Sequence, residues 1–245
     1  MKKLLLILSL LFSLLYSKDI ELKISCGFSG AEAELIRLVL SEGFKRADIK
    51  LLFEINPNQI SLLKASQGVV DGEATRVKEM NKIFPSLFRV PVSTHYIQLV
   101  AVSKKEIFLK TPSDLKDYRV GVIQGMKIAE KLAKNLSQRP ISAVVNDNAL
   151  MKLLHQDQID VMITNKIALL TNHTNLVDNK IYVRDEPIIS RPLYMHLHKK
   201  HKALIPRFEK AFKSMIEDGT YNSIHRNFTS QLEENLKTSL KLIHY

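Results

Sequence analysis

The chain has 245 residues, of which 45% are hydrophobic and 25% are charged, and its 36 Lys and Arg against 25 Asp and Glu give a formal net charge of +11. This composition is that of an ordinary folded protein and excludes collagen-like and low-complexity chains. A single cysteine, Cys26, excludes an internal disulfide and a cysteine-rich zinc site, so packing has to stabilise the fold.

The N-terminal segment has the pattern of a secretory signal peptide. A basic start precedes an apolar run over residues 4–16, which is shorter than a membrane-spanning helix requires. Ser17 is the expected cleavage position because it is small and polar residues follow it. The alternative is an uncleaved membrane anchor. The sequence therefore predicts an exported, periplasmic mature chain that begins near residue 18.

The first half of the mature chain alternates strand-like and helix-like patterns, which is typical of an α/β protein. Hydrophobic and charged residues alternate over residues 20–24 and predict a first strand. Ser29 and Glu32 have the spacing of a capping box, which predicts that a helix with an apolar stripe begins there. A second strand is predicted over residues 49–55.

The pattern continues to about residue 102 and restarts from Thr111, which predicts a second lobe. Asn58 is the predicted cap of a short helix that ends at Gly68, and a third strand near residues 69–70 runs into a turn at residues 71–72. The later predicted elements are strands at 96–102, 119–123, 141–145, 159–164 and 193–198, helices at 125–135, 148–156, from 165 and at 208–215, and a final amphipathic helix through 232–243. Two α/β lobes imply a cleft between them, and small-molecule sites concentrate in such clefts.

Five short motifs follow one another along nearly the whole mature chain: VDGEATR at 70–76, FPSLFRVP at 84–91, RVGVIQG at 119–125, QIDVMI at 158–163 and PLYMHL at 192–197. In this order they resemble the type II periplasmic solute-binding proteins of family 3, which include the amino acid receptors of ABC transporters. The resemblance implies an α/β, two-lobed type II periplasmic-binding-protein fold with two hinge crossovers. It divides the chain into a signal peptide (1–17), a first lobe (18–101), a second lobe (102–189), and a return to the first lobe with a C-terminal helix (190–245).

The resemblance also implies how a solute is held. Such receptors use an Arg on the first lobe, backbone N–H groups at a helix start and an acid on the second lobe. Arg76, with Thr75 beside it, matches the first position, and Gly125 opens the helix whose free N–H groups suit an anion. Asn165 stands where the acid is expected and supplies no countercharge. Glu73 is a candidate to replace that charge; the alternative is a solvated acid in a turn.

Three aromatic residues are predicted to line the cleft. Phe28 follows the first strand, and loops at the carboxyl ends of strands line clefts in such folds. His95 and Tyr96 begin the strand that leads towards the first crossover. For Phe28 and Tyr96, burial in the core is the alternative interpretation.

Other chemistries have little support in the sequence. His196, His198 and His201 come nearest to a metal site, but they belong to a motif that resembles lobe structure, so no metal and no cofactor is predicted. Motifs of a nucleophile elbow, a phosphate-binding loop or a zinc protease do not occur, and the basic residues are spread without a nucleic-acid-binding pattern.

The sequence therefore predicts a substrate-binding protein, not an enzyme, that captures a small carboxylate-bearing or amino-acid-like solute between two lobes. Its expected partner is the permease of an ABC-type uptake system, and it is expected to be a monomer that does not bind nucleic acid. Two alternatives remain: a periplasmic sensor or partner module for a membrane receptor, and an enzyme similar to cyclohexadienyl dehydratases.

Overall fold

The computed structural model describes residues 20–109, 111–137, 139, 141–171, 181–184, 186–236 and 240–243. The predicted signal peptide lies outside these residues. The strands are β1 Glu21–Cys26, β2 Lys50–Ile55, β3 Gly72–Arg76, β4 Leu87–Ser103, β5 Val120–Ile123, β6 Ser142–Val144, β7 Val161–Asn165, β8 Ile181–Arg184, β9 Ile189–His198 and β10 Leu240–Ile243. The α-helices are α1 Gly30–Arg46, α2 Asn58–Ser66, α3 Met80–Ile83, α4 Lys127–Leu136, α5 Asp147–His155, α6 Lys166–Thr171, α7 Ile205–Glu217 and α8 Thr220–Leu236, and 3-10 helices cover Pro112–Asp117 and Lys199–Leu204.

The strands form one path in the order β2-β1-β3-β9-β4-β7-β5-β6, with β8 on β4 and β10 on β8. β1 pairs in parallel with β2 and β3, and β5 pairs in parallel with β6 and β7. The long strand β4 pairs antiparallel with β9, β7 and β8 and so connects the two parallel halves of the sheet. The predicted α/β architecture is confirmed, whereas the lobe boundaries at residues 101 and 189 stay a prediction.

Each half of the sheet has its own hydrophobic core. In the first half, the apolar stripe of α1 packs on β1 and on α7, where the rings of Phe44 and Phe208 lie 4.6 Å apart. In the second half, two clusters cover the faces of β5 and β7. Phe28 and Ile167 depart from this division: Phe28 packs against cores of both halves, and Ile167 of α6, which follows β7, is buried in the core of the first half. The halves are therefore in direct contact near these two residues.

The predicted capping hydrogen bonds of Ser29 and Asn58 do not form in the described structure, although α1 begins directly after Ser29 as predicted. Ser29 is the residue before α1, but its side chain makes no capping hydrogen bond in the described part of the chain. Asn58 is the first residue of α2, after Pro57, and its side-chain oxygen accepts a hydrogen bond from Arg76. For Asn58, a tertiary partner has therefore replaced the local bond that the sequence indicated.

Two predicted elements also differ from the structure. The third strand is β3, Gly72–Arg76, so residues 73–76 lie on a buried strand and not on a loop. The final helix ends at Leu236, and residues 240–243 form β10, which pairs in parallel with β8. The apolar spacing of residues 232–243 suits a helix and a strand equally, and a pairing partner 59 residues away in the chain, Ile181 opposite Leu240, decides between them. No helix within the described ranges is both long and apolar enough to cross a membrane.

Candidate functional site

Arg76 lies at the carboxyl ends of the parallel strands β1 and β3, the edge at which ligands bind in open α/β sheets. Its Nη1 donates to Asn58 Oδ1 at 3.0 Å, and its Nη2 donates to the Asn58 carbonyl oxygen at 2.8 Å. Nη2 also lies 3.0 Å from Glu73 Oε1. The buried Nε has no hydrogen-bond partner among the described residues. The guanidinium is therefore rigidly held and still has donor capacity to offer.

Gly27 allows this position of the guanidinium. A Cβ atom at Gly27 would lie 2.6 Å from Arg76 Nη2 and 3.1 Å from the Asn58 Cα. Because side-chain carbon atoms do not approach so closely, only glycine leaves room for the Arg76 side chain against the backbone after β1. The segment from Cys26 to Phe28 thus forms one wall beside Arg76.

Glu73 is fully buried, and its carboxylate bonds to groups of the protein. Its Oε2 accepts a hydrogen bond from Ser61 Oγ at 2.5 Å, and the backbone N–H of Gly27 also bonds to the carboxylate. Burial raises the pKa of Glu73 to about 7, although Arg76 opposes that rise. The carboxylate is therefore neither the solvated acid of a turn nor a free countercharge for a solute, because its charge is matched by Arg76.

A second polar group, the Glu32 bridge, joins the two halves of the molecule. It consists of Glu32 on α1, His95 on β4 and Asn165 at the end of β7. Glu32 Oε1 lies 2.8 Å from His95 Nε2, and Glu32 Oε2 accepts a hydrogen bond from Asn165 Nδ2 at 2.8 Å. The Asn165 Oδ1 accepts from the backbone N–H of Ile167. Both ends of the Asn165 amide are therefore used inside the protein.

Aromatic rings pack against His95 of the Glu32 bridge. The Phe28 ring is edge-on to the His95 ring at 6.1 Å between centroids, and the His225 ring stacks on the His95 ring at 6.0 Å. The Tyr221 ring lies 4.5 Å from His225. Burial, and secondarily the neighbouring His95, lower the pKa of His225 to about 4, so this imidazole is neutral at neutral pH. Among the described residues, the buried His95 Nδ1 has no hydrogen-bond partner.

The remaining predicted site residues are placed less favourably. Thr75 is completely buried in β3, and Tyr96 is 42% exposed. Gly125 adopts a left-handed φ of +87° before α4, and its N–H donates to Glu130 Oε1 at 2.7 Å. The backbone donor predicted at Gly125 is thus occupied by a side chain of the helix that it precedes. The structure brings Arg76 together with Glu73 and Phe28 together with His95, and it links His95 to Asn165 through Glu32.

The three histidines of the candidate metal motif have separate environments. The Nδ1 of His196 bonds to the Tyr194 carbonyl oxygen, and burial lowers the pKa of His196 to about 4. His201 instead bonds to Asp71 at 2.7 Å. No group of three potential metal-ligating side chains is found in the portion of the chain that the structure describes.

Sequence reasoning missed three residues of the site. Glu32 and Asn58 were read as cap residues, and Ser61 carried no signal at all. One signal could have identified Glu32: an acid in the first turn of a helix, behind an aromatic residue that is predicted to line the cleft. The pairing with His95 and Asn165 spans 63 and 133 residues, so no local pattern could reveal it.

Comparison with known proteins places this geometry in context. No family model matches the chain. The chain is similar to the L-cystine-binding protein TcyJ of Escherichia coli (strain K12), with 26% identity over 161 residues, which make up 64% of this chain and 58% of that protein. The chain thus spans less than two thirds of the length of this curated relative.

Solved structures resemble the fold over most of the chain. One is the probable amino-acid ABC transporter extracellular-binding protein ytmK from Bacillus subtilis, with a TM-score of 0.66, 20% identity, and coverage of 86% of this chain and 99% of that chain. Another is an ancestral arginine-binding protein bound to arginine, with a TM-score of 0.62, 18% identity, and coverage of 85% and 97%. Both are named as binding proteins and not as enzymes. The two-lobed type II periplasmic-binding-protein fold is confirmed, and so is the resemblance inferred from the motifs.

Proposed function

We propose that this protein is a periplasmic substrate-binding protein that captures a small carboxylate-bearing, amino-acid-like solute between its lobes for an ABC-type uptake system. The observation that carries the proposal is the Arg76 guanidinium. It lies at the ligand-binding edge of the sheet and is held by Asn58 and Glu73, while its Nε has no partner among the described residues.

A carboxylate is the group that best completes this arrangement. The Arg76 side chain is only 8% exposed, and a buried donor without a partner costs about 1–3 kcal/mol. A planar guanidinium satisfies a carboxylate with two parallel charge-assisted hydrogen bonds, which are stronger in a cleft that excludes water. Because Asn58 and Glu73 already fix the orientation of the guanidinium, little side-chain entropy is lost on binding.

The names of similar proteins support an amino acid as the solute. TcyJ is named for L-cystine, and the ancestral protein is bound to arginine. In our proposal the mature protein begins after Ser17, the lobes divide near residues 101 and 189, and a monomer closes by a hinge motion at β4 and β9. A solute favours the closed state only through contacts with both lobes.

The proposal is tested by calorimetric titration of the mature protein with L-cystine, the common L-amino acids and dicarboxylates. Arg76→Lys keeps the positive charge beside Glu73 but lacks the planar fork, so we expect the affinity for the bound solute to fall by about tenfold or more. Arg37→Lys on the exposed face of α1, where Arg37 pairs with Glu34, is the matched control and should bind like the wild type. Equal affinity of the wild type and Arg76→Lys would refute the proposed site.

A further inference from the structure

Among the described residues around the proposed cleft, the Glu32 carboxylate has no lysine or arginine at ion-pair distance. Glu73 is paired with Arg76. Asn165, at the position where an acid was expected, carries no charge. Glu32 is ionisable and buried, and its partners in the described structure are the imidazole of His95 and the neutral amide of Asn165.

The Glu32 carboxylate has capacity for a further donor. Two oxygens of an ionised carboxylate offer about four acceptor positions, and the bonds from His95 and Asn165 use one on each oxygen. One tenth of the Glu32 side chain remains exposed, so a small group can reach it. An ammonium group supplies three donors and a positive charge.

Glu32 and Arg76 flank the same short stretch of backbone. Arg76 lies against Gly27, and the Phe28 ring contacts His95, which holds Glu32. The Cys26 thiol, which precedes this stretch, is within electrostatic range of both Glu32 and Arg76. The half-buried Phe28 follows the glycine that lies against Arg76 and faces the histidine that holds Glu32, so a positive group, a nonpolar ring and a negative group lie close together, which suits a zwitterion with a nonpolar body.

We infer that Glu32 is the contact for the cationic group of the solute, and that the solute is a zwitterion whose carboxylate binds Arg76 and whose ammonium group binds Glu32. This inference rests on the proposed function. It transfers the anionic contact from the second lobe, where Asn165 stands, to the first turn of α1. Asn165 then acts on the solute through Glu32, because its amide orients the Glu32 carboxylate.

The experiment compares amino acids with partners that lack only the amino group: L-cystine with 3,3′-dithiodipropionate, L-glutamine with 4-carbamoylbutanoate, and L-leucine with 4-methylpentanoate. Calorimetric titrations use the wild type, Glu32→Gln and the control Glu34→Gln, which alters an exposed acid on the same helix. We expect the wild type to bind one amino acid about 10–100-fold more tightly than its partner, as the loss of a charge-assisted bond implies. Glu32→Gln should weaken that amino acid by a similar factor and leave its partner within about twofold.

Three outcomes would overturn the inference. If the wild type binds the desamino partners as tightly as the amino acids, the solute needs only a carboxylate, and the proposed function stands without a role for Glu32. If Glu32→Gln weakens both members of a pair equally, Glu32 acts structurally through His95 and Asn165. If the wild type binds none of the probes, the proposed amino-acid-like solute fails together with the inference. The wild-type comparison holds even if Glu32→Gln does not fold.

Discussion

Replacing Arg76 by methionine perturbs the buried ion pair and not only the proposed ligand contact. Arg76 is the one cation within ion-pair distance of Glu73 in the described structure. Without it, the fully buried carboxylate keeps only the hydrogen bonds from Ser61 and Gly27. Because burial already raises the pKa of Glu73 to about 7 against the attraction of Arg76, the variant should raise that pKa further.

The pH dependence of the stability follows from the sign and the size of the Glu73 pKa shift. An acid whose pKa is higher in the folded state stabilises the fold below its unfolded pKa, and this stability is lost as the pH rises through the folded pKa. For Glu73 a shift from 4.5 to about 7 corresponds to roughly 3 kcal/mol, all of it lost by about pH 8. In Arg76→Met the Glu73 pKa is higher still, so the free energy of unfolding continues to fall above pH 8, by about 1.4 kcal/mol per pH unit.

Urea unfolding at pH 5.5 and pH 8.5 measures this difference. Arg76→Met should destabilise the protein by about 2 kcal/mol more at pH 8.5 than at pH 5.5. In a Glu73→Gln background the same replacement should cost equally at both pH values. A pH-independent cost of Arg76→Met in the wild-type background would refute the coupling. The expected instability is also the reason that lysine, which keeps the charge, is the better replacement in binding experiments.

Two further predictions test the geometry of the site and of the core. Gly27→Ala places a Cβ atom 2.6 Å from Arg76 Nη2, so the guanidinium must move, and we expect solute affinity to fall by about tenfold or more in calorimetric titration; unchanged affinity in a folded variant would contradict the close contact. Burial lowers the pKa of His196 from 6.5 to about 4, so this neutral imidazole contributes stability that is lost as the pH falls from 6.5 towards 4. When the pH falls from 7 to 5, the free energy of unfolding of His196→Gln, measured in urea, should therefore decrease by about 2 kcal/mol less than that of the wild type. Equal decreases would show that the pKa of His196 is not lowered by folding.

Part of the candidate site could be predicted because its residues occupy positions defined by local patterns. Arg76 lies in a short motif after the predicted turn, and Phe28 follows a strand whose alternation is visible in the sequence. The role of Glu73 was not predictable in the same way. It looked like an acid in a turn, and only the extension of β3 through residues 72–76 buries it beside Ser61 and Arg76.

The sequence by itself determined the order and type of most elements, because the spacing of apolar residues is a local property that survives in the fold. It also determined the α/β class and the position of the arginine at a strand end. Tertiary structure alone decided the partners of short polar side chains and the last element. The Glu32 side chain bonds to His95 and Asn165 and not to the start of its own helix, and residues 240–243 pair with β8 as a strand. These contacts depend on groups that are distant in the chain. A buried carboxylate and the backbone of a strand both need hydrogen-bond partners, and the fold determines which partners are near.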